Sequence, residues 1–212
     1  MHRQAGVRGV RFIIALAALA AMAGAPRAQE AGGIPALYAV SGVGFDDTLN
    51  VRAKPDAKSA VQAKLAPDAV DIEVTGYSRD GSWARITTGE RAGWVAARYL
   101  RRQDQAPWWD AATPLTCYGT EPFWSLRIAG GAATFDSPMG KEEPAPTALR
   151  ATTPAGEGVS ALGIATAGGF AVIRPAECSD GMSDRVMALA IDLFRDTADG
   201  PAGYSGCCTL NP

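Results

Sequence analysis

Histidine is nearly missing from this chain of 212 residues, because its one histidine is His2 at the N-terminal end. Imidazole is the base or the ligand in Ser-His-Asp and Cys-His nucleophile systems and in many zinc sites. These kinds of site are therefore excluded for the remainder of the chain. The absence of histidine does not exclude a hydrolase that depends on carboxylates, although no nucleophile is evident.

Long apolar runs are also scarce. The run from Phe12 to Ala25 follows a basic start without acids and is too short to span a bilayer. This pattern is typical of a secretory signal peptide, with cleavage expected after Ala28 or, as a second candidate, after Ala23. We therefore expect residues 1–28 to be removed and the protein to be periplasmic, without a membrane anchor.

Basic residues are fewer than acidic ones once this segment is removed. Residues 1–28 hold four arginines and no acid, which leaves 16 basic against 22 acidic residues and a formal charge of −6. Binding to nucleic acid depends mainly on Lys and Arg contacts to phosphates, and anionic lipid attracts basic segments. The sequence therefore predicts no nucleic-acid partner and no stable association with a membrane.

Cysteine is absent from the first half of the chain and occurs four times in the second, as Cys117, Cys178, Cys207 and Cys208. An exported chain meets oxidising conditions, so two disulfides are expected. Neighbouring side chains of a strand point to opposite faces, which disfavours a bond between Cys207 and Cys208. One of them should pair with Cys117 and the other with Cys178. The rival interpretation, a four-cysteine zinc site, lacks any Cys-x-x-Cys pair. No metal or cofactor is predicted.

Residues 36–102 contain short β-type segments separated by turn residues. Strands are predicted at 37–40, 49–52, 61–65, 71–77, 83–87 and 93–96. Apolar and polar residues alternate within Asp71–Thr75, as a half-buried strand requires, and nothing in this region has a helical period. The spacing indicates a small β-barrel or β-sandwich.

Four motifs mark this region: Leu49-Asn50-Val51-Arg52, Gly81-Ser82-Trp83-Ala84-Arg85-Ile86, Gly93-Trp94-Val95 and Tyr99-Leu100. They resemble the bacterial SH3-like domain of envelope proteins and wall-lytic enzymes. The resemblance implies a small barrel that binds peptidoglycan or a peptide and has no enzymatic activity of its own. Exposed aromatic faces between loops would form the binding groove. The candidates for this groove are Tyr38, Tyr77, Trp83 and Tyr99, whereas Trp94 is expected mainly in the core.

Residues 103–114 are predicted to be a linker, because a polar stretch ends at Pro107 after the pattern of the first barrel has closed. Trp108 and Trp109 follow immediately. We expect this pair to fill the interface between two domains. The alternative is an exposed patch for a protein partner, which would make the protein a structural or assembly factor.

Residues 115–212 form the second predicted domain, in which strands are expected at 123–128, 132–136, 149–153, 159–166, 169–174, 185–194 and 204–210. The segment 186–194 is also rich in helix-forming residues, but its apolar residues alternate with smaller or polar ones, which favours a strand. The predicted fold class is therefore all-β, with a small SH3-like barrel followed by a disulfide-bonded β-barrel or β-sandwich.

The stretches 117–126 and 177–185, closed by Gly206-Cys207, resemble a family of uncharacterised bacterial envelope proteins over residues 115–210. The candidate site here comprises Glu121, Asp180, Asp184 and Arg185. The three acids could act as paired acids or as oxygen ligands of a calcium ion. We favour a tight loop whose polar side chains bond to its own backbone, with Arg185 paired to Glu121 or Asp184. Phe123 and Trp124 are expected in the core.

These patterns predict a binding protein of the bacterial envelope and not an enzyme. The SH3-like domain is expected to bind peptidoglycan or an envelope protein or peptide, and the second domain an unknown ligand or partner. Two alternatives are an envelope hydrolase that uses Glu121, Asp180 and Asp184, and an assembly factor that docks through Trp108 and Trp109.

Overall fold

The computed structural model describes residues 33–138, 140–147, 149–155, 158–166 and 168–210. The predicted signal peptide, residues 1–28, lies outside them. The described chain forms two antiparallel β-sheets and one short 3-10 turn, Ala97–Tyr99, which confirms the all-β prediction. Within the described ranges, no helix is long and apolar enough to cross a membrane.

The first sheet has the strand order β3-β2-β6-β5-β4-β1-β7. Its strands are β1 (Ala36–Val40), β2 (Leu49–Arg52), β3 (Val61–Leu65), β4 (Ile72–Tyr77), β5 (Trp83–Thr88), β6 (Arg91–Ala96) and β7 (Leu100–Arg102). Strand β1 pairs with both β4 and β7, so the two ends of this region meet in the sheet. All strands predicted here are present, and β7 was missed because two of its three residues are arginines.

The core of the first sheet consists of small and β-branched side chains. Val51, Val74, Ile86 and Val95 are fully buried. In β5 and β6 buried and half-buried residues alternate, so one face of this hairpin points into the core and the other points outward. Trp94 lies on the outward face, so the prediction that it fills the core is wrong.

The second sheet is antiparallel with the order β11-β10-β9-β8-β17-β16-β15-β14-β13, in which the non-consecutive strands β8 and β17 are neighbours and β12 pairs with β10. Its strands are β8 (Leu115–Thr120), β9 (Phe123–Ala129), β10 (Ala132–Ser137), β11 (Gly140–Lys141), β12 (Ala145–Pro146), β13 (Leu149–Ala155), β14 (Gly158–Thr166), β15 (Gly169–Cys178), β16 (Met187–Thr197) and β17 (Gly200–Thr209). Strand β16 confirms the strand predicted over 186–194. Strand β8 was missed because Gly119 and the cysteine motif obscured its alternation.

The second sheet curls around its own core. Phe135 of β10 and Ile164 of β14 belong to one hydrophobic cluster although their strands lie far apart in the sheet order. Trp108 is 1% exposed within the same cluster, and Trp109 packs against it. Leu37 of β1 also reaches this cluster. The tryptophan pair therefore fills the junction, and an exposed docking patch at Trp108 is ruled out.

Two disulfides connect strands of the second sheet. Cys117 of β8 bonds to Cys208, which is its direct partner in the register of β8 and β17. Cys178, at the end of β15, bonds to Cys207. Because Cys207 and Cys208 are adjacent in β17, their side chains leave opposite faces of the strand. The predicted two-disulfide framework is present, and the cysteines are therefore not zinc ligands.

The buried carboxylate of Glu73 attaches the first sheet to the second. Glu73 lies in β4 and is only 7% exposed. Its Oε2 accepts hydrogen bonds from the backbone N–H of Leu210, at 3.2 Å, and from the Thr209 hydroxyl. The end of β17 is thus held directly against β4.

Backbone hydrogen bonds form a second attachment, between the turn of β5 and β6 and the loop before β16. The N–H of Ala92 donates to the carbonyl of Asp184 at 2.8 Å, and the N–H of Asp184 donates to the carbonyl of Glu90 at 2.9 Å. The segment predicted as a linker is also held, since the Gln105 side chain accepts from the N–H of Leu37 at 3.2 Å. The two sheets therefore meet along several ordered contacts.

Candidate functional site

Trp83 and Tyr99 lie in adjoining backbone segments at one end of the β5–β6 hairpin. Trp83 begins β5 opposite Ala96, and the 3-10 turn that carries Tyr99 follows directly. The N–H of Ala97 donates to the carbonyl of Ser82 at 2.9 Å, which fixes this turn against the start of β5. Trp83 and Tyr99 are both half-buried, so part of each ring remains accessible. The backbone therefore places these two predicted groove residues in adjoining segments.

The loop 41–48 borders the other side of Tyr99. The N–H of Ser41 donates to the carbonyl of Tyr99 at 2.8 Å. Farther along the loop, Phe45 is 94% exposed, the largest exposure among the large apolar side chains described. We call Phe45, Trp83 and Tyr99 the aromatic edge. Phe45 was not predicted as a groove residue, although an aromatic residue between Gly44 and Asp46 in an inter-strand loop could have indicated it.

A carboxylate with a strongly lowered pKa lies next to the aromatic edge. Hydrogen bonds from Ser78 and Ser82 lower the pKa of Asp80 from 3.8 to about 2. The Ser78 hydroxyl oxygen also accepts from the N–H of Trp83 at 3.0 Å, so this turn is tied to the aromatic edge. On the Tyr99 side, the Arg98 guanidinium lies 4.6 Å from the ring centroid. The aromatic surface is therefore flanked by one fixed negative and one positive charge.

Tyr38 and Tyr77, the other predicted groove residues, bond to each other. The hydroxyl of Tyr77 donates to that of Tyr38 at 2.8 Å, and both rings pack against the core of the first sheet. A hydroxyl pair of this kind fixes the two rings with respect to one another. Tyr99 packs against the same core, so this packing alone does not separate it from Tyr38 and Tyr77. We leave Tyr38 and Tyr77 out of the aromatic edge because their hydroxyls are bonded to each other, and their place in the groove stays a prediction.

The outward face of the β5–β6 hairpin points toward the second sheet. Arg85 lies opposite Trp94 with its guanidinium 6.0 Å from the indole centroid. The same guanidinium forms a 2.7 Å ion pair with Glu177 at the end of β15. The Arg85 side chain is 17% exposed and that of Glu177 is 69% exposed. This part of the face therefore forms a contact between the first and the second sheet.

The predicted acids of the second domain lie in a loop that is stabilised from within. The Asp180 carboxylate accepts from the backbone N–H groups of Met182 and Ser183 and from the Ser183 hydroxyl. Partial burial raises the pKa of Asp180, but these hydrogen bonds and the charge of Arg185 outweigh it, so the pKa is lowered. Asp180 is therefore held as an anion by its own loop, as expected for the tight-loop interpretation.

Arg185 and Asp184, two further predicted residues of this group, also have structural partners. Arg185 donates from Nε to the carbonyl of Gly89 at 2.9 Å, so the predicted pairing with Glu121 or Asp184 is wrong. Asp184 uses its backbone to join the first sheet. Glu121 is exposed in the turn between β8 and β9, next to Thr120, whose hydroxyl donates to the Asp180 carbonyl at 3.0 Å. Within the described ranges, no cluster of His, Cys, Asp and Glu is suited to hold a metal ion.

The motif residues around Trp124 pack the core. A Cβ on Gly119 would lie 2.4 Å from Trp124 Nε1, and one on Gly206 would lie 2.9 Å from Trp124 Cζ2. Both positions therefore need glycine because the indole lies over them. Trp124 is 3% exposed, as predicted, whereas Phe123 is 56% exposed, so its placement in the core is wrong.

The comparisons with known proteins agree with the arrangement of the first sheet. Residues 47–101 match the bacterial SH3 domain. No curated protein and no solved structure matches the chain. The matched SH3 region begins two residues after Phe45, which lies outside it, runs through β2 to β6 and includes Trp83 and Tyr99. The resemblance predicted for residues 115–210 stays a prediction.

Proposed function

We propose that this protein is a non-catalytic component of the bacterial envelope whose SH3 region binds peptidoglycan or an extended peptide at the aromatic edge. The observation that carries the proposal is the placement of Phe45, Trp83 and Tyr99. One ring is almost fully exposed, and the other two are half-buried in adjoining segments. Bacterial SH3 regions are typical binding modules, and the match over residues 47–101 supports that role here.

The chemistry of the aromatic edge fits an extended chain. Aromatic faces bind rigid extended peptides and the apolar faces of sugars, because both present flat apolar surface. Asp80 keeps its charge at any ordinary pH and would attract an ammonium group of a bound peptide. A stem peptide of peptidoglycan combines an extended backbone with charged groups, so it suits this surface.

Export is supported by two independent features. The N-terminal pattern of residues 1–28 is that of a signal peptide. The two disulfides form and persist in oxidising compartments such as the periplasm. Peptidoglycan lies in that compartment.

The absence of enzymatic activity is part of the proposal. Asp180 and Asp184 are engaged in the loop and at the junction, which suits a structural role better than general acid or base chemistry. We expect muropeptide profiles of purified cell wall to be unchanged after incubation with the protein. New hydrolysis products that disappear in the Glu121→Gln or Asp184→Asn variant would contradict this expectation.

The binding proposal is tested by co-sedimentation of the full chain with purified peptidoglycan. Each of the variants Phe45→Ser, Trp83→Ala and Tyr99→Ala should weaken binding by about tenfold or more, as aromatic anchors of an interface do. Phe123→Ser is the matched control, because it removes an exposed phenyl ring from the second sheet. Circular dichroism first establishes that each variant is folded.

Two outcomes would overturn the proposal. One is wild-type protein that binds neither intact peptidoglycan nor soluble stem peptides. The other is undiminished binding by all three folded variants of the aromatic edge. Equal losses in the Phe123→Ser control would show that general surface hydrophobicity, and not the aromatic edge, drives sedimentation.

A further inference from the structure

Two phenyl rings lie together on the outer face of the second sheet, away from its core. Phe170 of β15 and Phe194 of β16 are direct partners in the strand register. Their rings are stacked, with centroids 4.9 Å apart and planes 23° from parallel, and the residues are 51% and 45% exposed. In every other ring pair of the described ranges, at least one ring belongs to the buried core. We call Phe170 and Phe194 the phenyl pair.

Small neighbours leave the phenyl pair open on both sides. Stacked rings cover one face of each other, so the remaining face of each ring is the one that meets solvent. On its far side Phe170 has Ala165 as its register partner, and Phe194 has Gly203. A Cβ on Gly203 would lie 3.7 Å from Cδ1 and Cε1 of Phe194, so this ring lies beside a position without a side chain. The pair therefore presents flat apolar surface to solvent.

Polar side chains continue the same face along the strands. Asp192 lies two residues before Phe194 in β16, and Ser205 is its register partner in β17. Alternate residues of a strand share a face and lie about 7 Å apart. The Asp192 carboxylate accepts from the Ser205 hydroxyl at 3.3 Å and from Nη1 of Arg174. The phenyl pair is therefore bordered by hydrogen-bonding groups.

The charges of this border compensate each other. Arg174 and Asp192 form an ion pair in which both side chains remain partly exposed. A charged ligand would have to displace one member of this pair. A neutral ligand with hydroxyl groups can instead use the further N–H donors of the guanidinium and the further acceptor sites of the carboxylate while the pair stays intact. The border therefore favours a neutral polyhydroxylated ligand.

We propose that the outer face of β15, β16 and β17 binds a neutral sugar chain. The apolar face of one sugar ring stacks on Phe194 above Gly203, and its hydroxyl groups bond to Asp192 and Ser205. A purely apolar partner fits less well, because it would bury the polar border without bonding to it, which costs free energy. This surface is separate from the aromatic edge, and the inference does not depend on binding there.

The test is an NMR titration of the labelled full chain with the tetramer of N-acetylglucosamine, which is neutral and carries no peptide. We expect the amide signals of β15, β16 and β17 around the phenyl pair to shift. The folded Trp83→Ala variant should show the same shifts, because it alters only the aromatic edge. No shift in these strands, or loss of the shifts in Trp83→Ala, would overturn the proposal. The same shifts on raising the protein concentration without sugar would also overturn it, by assigning this face to a second copy of the chain.

Two variants and one matched control localise the binding. Phe194→Leu keeps an apolar side chain but removes the ring face, and it should weaken binding of the tetramer about fivefold. Phe123→Leu alters another exposed ring of the second sheet and should leave binding unchanged.

Gly203→Leu separates a binding surface from a ring pair that is merely structural. Its new side chain would cover the open face of Phe194 and should weaken binding by a similar factor. Stability should be kept, since the Cβ meets Phe194 only at an ordinary contact distance. Thermal unfolding establishes that each variant is folded. Unchanged affinity in folded Phe194→Leu and Gly203→Leu, or an equal loss in Phe123→Leu, would overturn the proposal.

Discussion

The two sheets of this protein fill their cores with different side chains. In the first sheet the described buried core contains no aromatic residue, and Tyr38, Tyr77 and Tyr99 pack against it from its margin. In the second sheet Trp124, Phe135 and Tyr204 form one cluster, with ring centroids 5.7 to 6.2 Å apart, inside or against the core. A small sheet has little interior volume for large rings, whereas a long curled sheet needs them to fill its concave face.

The two sheets also differ in what holds them together. The first lacks cysteine and is held by strand pairing in which β1 joins β4 and β7. The second has outer strands that are distant in the sheet order, and disulfides cross-link β8, β15 and β17 at its centre. In the chain-entropy account a covalent link contributes more when it closes a longer loop, and the two links close separations of 91 and 29 residues. Four experiments would break or sharpen this comparison.

The largest effect is expected from removing the disulfide between Cys117 and Cys208. The double variant Cys117→Ala/Cys208→Ala opens a loop with a sequence separation of 91 and should lose about 4 to 5 kcal/mol in the chain-entropy account. The shorter Cys178–Cys207 loop, with a separation of 29, should cost about 3 to 4 kcal/mol. Urea unfolding measures both values.

Hydrogen exchange resolved by segment tells the two sheets apart in the same variants. Amides of β8, β16 and β17 should lose protection, while those of β4, β5 and β6 retain most of theirs. Equal losses in both sheets would show that the two regions unfold as one cooperative unit.

The second-largest loss of stability is expected from adding a methyl group to glycines that neighbouring atoms cover closely. Gly119→Ala would bring a Cβ to 2.5 Å from the Ser205 carbonyl as well as against Trp124, and should cost about 3 kcal/mol. Gly93→Ala in the first sheet meets a methyl group of Val51 at 2.4 Å and should cost less, about 1 to 2 kcal/mol, since a side chain yields more readily than backbone. Thermal unfolding of both variants shows which of them loses more stability.

Gly163→Ala is the control for both glycine variants. Its Cβ would meet its nearest neighbour, the Ala151 carbonyl, at 3.8 Å, so stability should change little. A larger loss for Gly93→Ala than for Gly119→Ala would contradict the expectation that a clash with backbone costs more than a clash with a side chain.

The third loss of stability is smaller and is expected from weakening a contact between the two sheets. Thr209→Val removes the hydroxyl that donates to Glu73 and should cost roughly 1.5 to 3 kcal/mol, because the acceptor is a buried carboxylate. Thr153→Val is the control, since the Thr153 hydroxyl makes only a 3.4 Å contact at an exposed position. If this contact couples the unfolding of the two sheets, differential scanning calorimetry should show one unfolding transition for the wild type and two for Thr209→Val.

The smallest effect concerns Asp80 in the first sheet. Its pKa of about 2 is below the ordinary 3.8, so its contribution to stability is fully present above pH 3.8 and is lost as the pH falls through about 2. The double variant Ser78→Ala/Ser82→Ala should move the midpoint of the Asp80 titration, followed by NMR of its carboxyl carbon, toward 3.8. An unmoved midpoint would contradict the assigned cause.

Much of the fold could be predicted from alternation and turn residues. The strand 49–52 is predicted with its observed ends, and the ambiguous segment 186–194 lies in β16. Strand β8 escaped detection because its central Gly119 leaves space for Trp124, a requirement that depends on a strand pairing that the sequence does not display. Part of the candidate site could be predicted as well, namely Trp83 and Tyr99, whereas Phe45 was missed because its loop carries no periodicity.

The sequence by itself determined the all-β class, the SH3 resemblance and the need for two disulfides, since these depend on local periodicity, motif spacing and cysteine count. Only the tertiary structure decided which side chains meet. It paired Tyr38 with Tyr77, turned Trp94 outward, joined Arg185 to Gly89 and placed Arg195 over Phe135. Tyr38 and Tyr77 are 39 residues apart in the chain, Arg185 and Gly89 are 96 apart, and Arg195 and Phe135 are 60 apart. Contacts between residues so distant in the chain follow from sheet curvature and register, which no local pattern encodes.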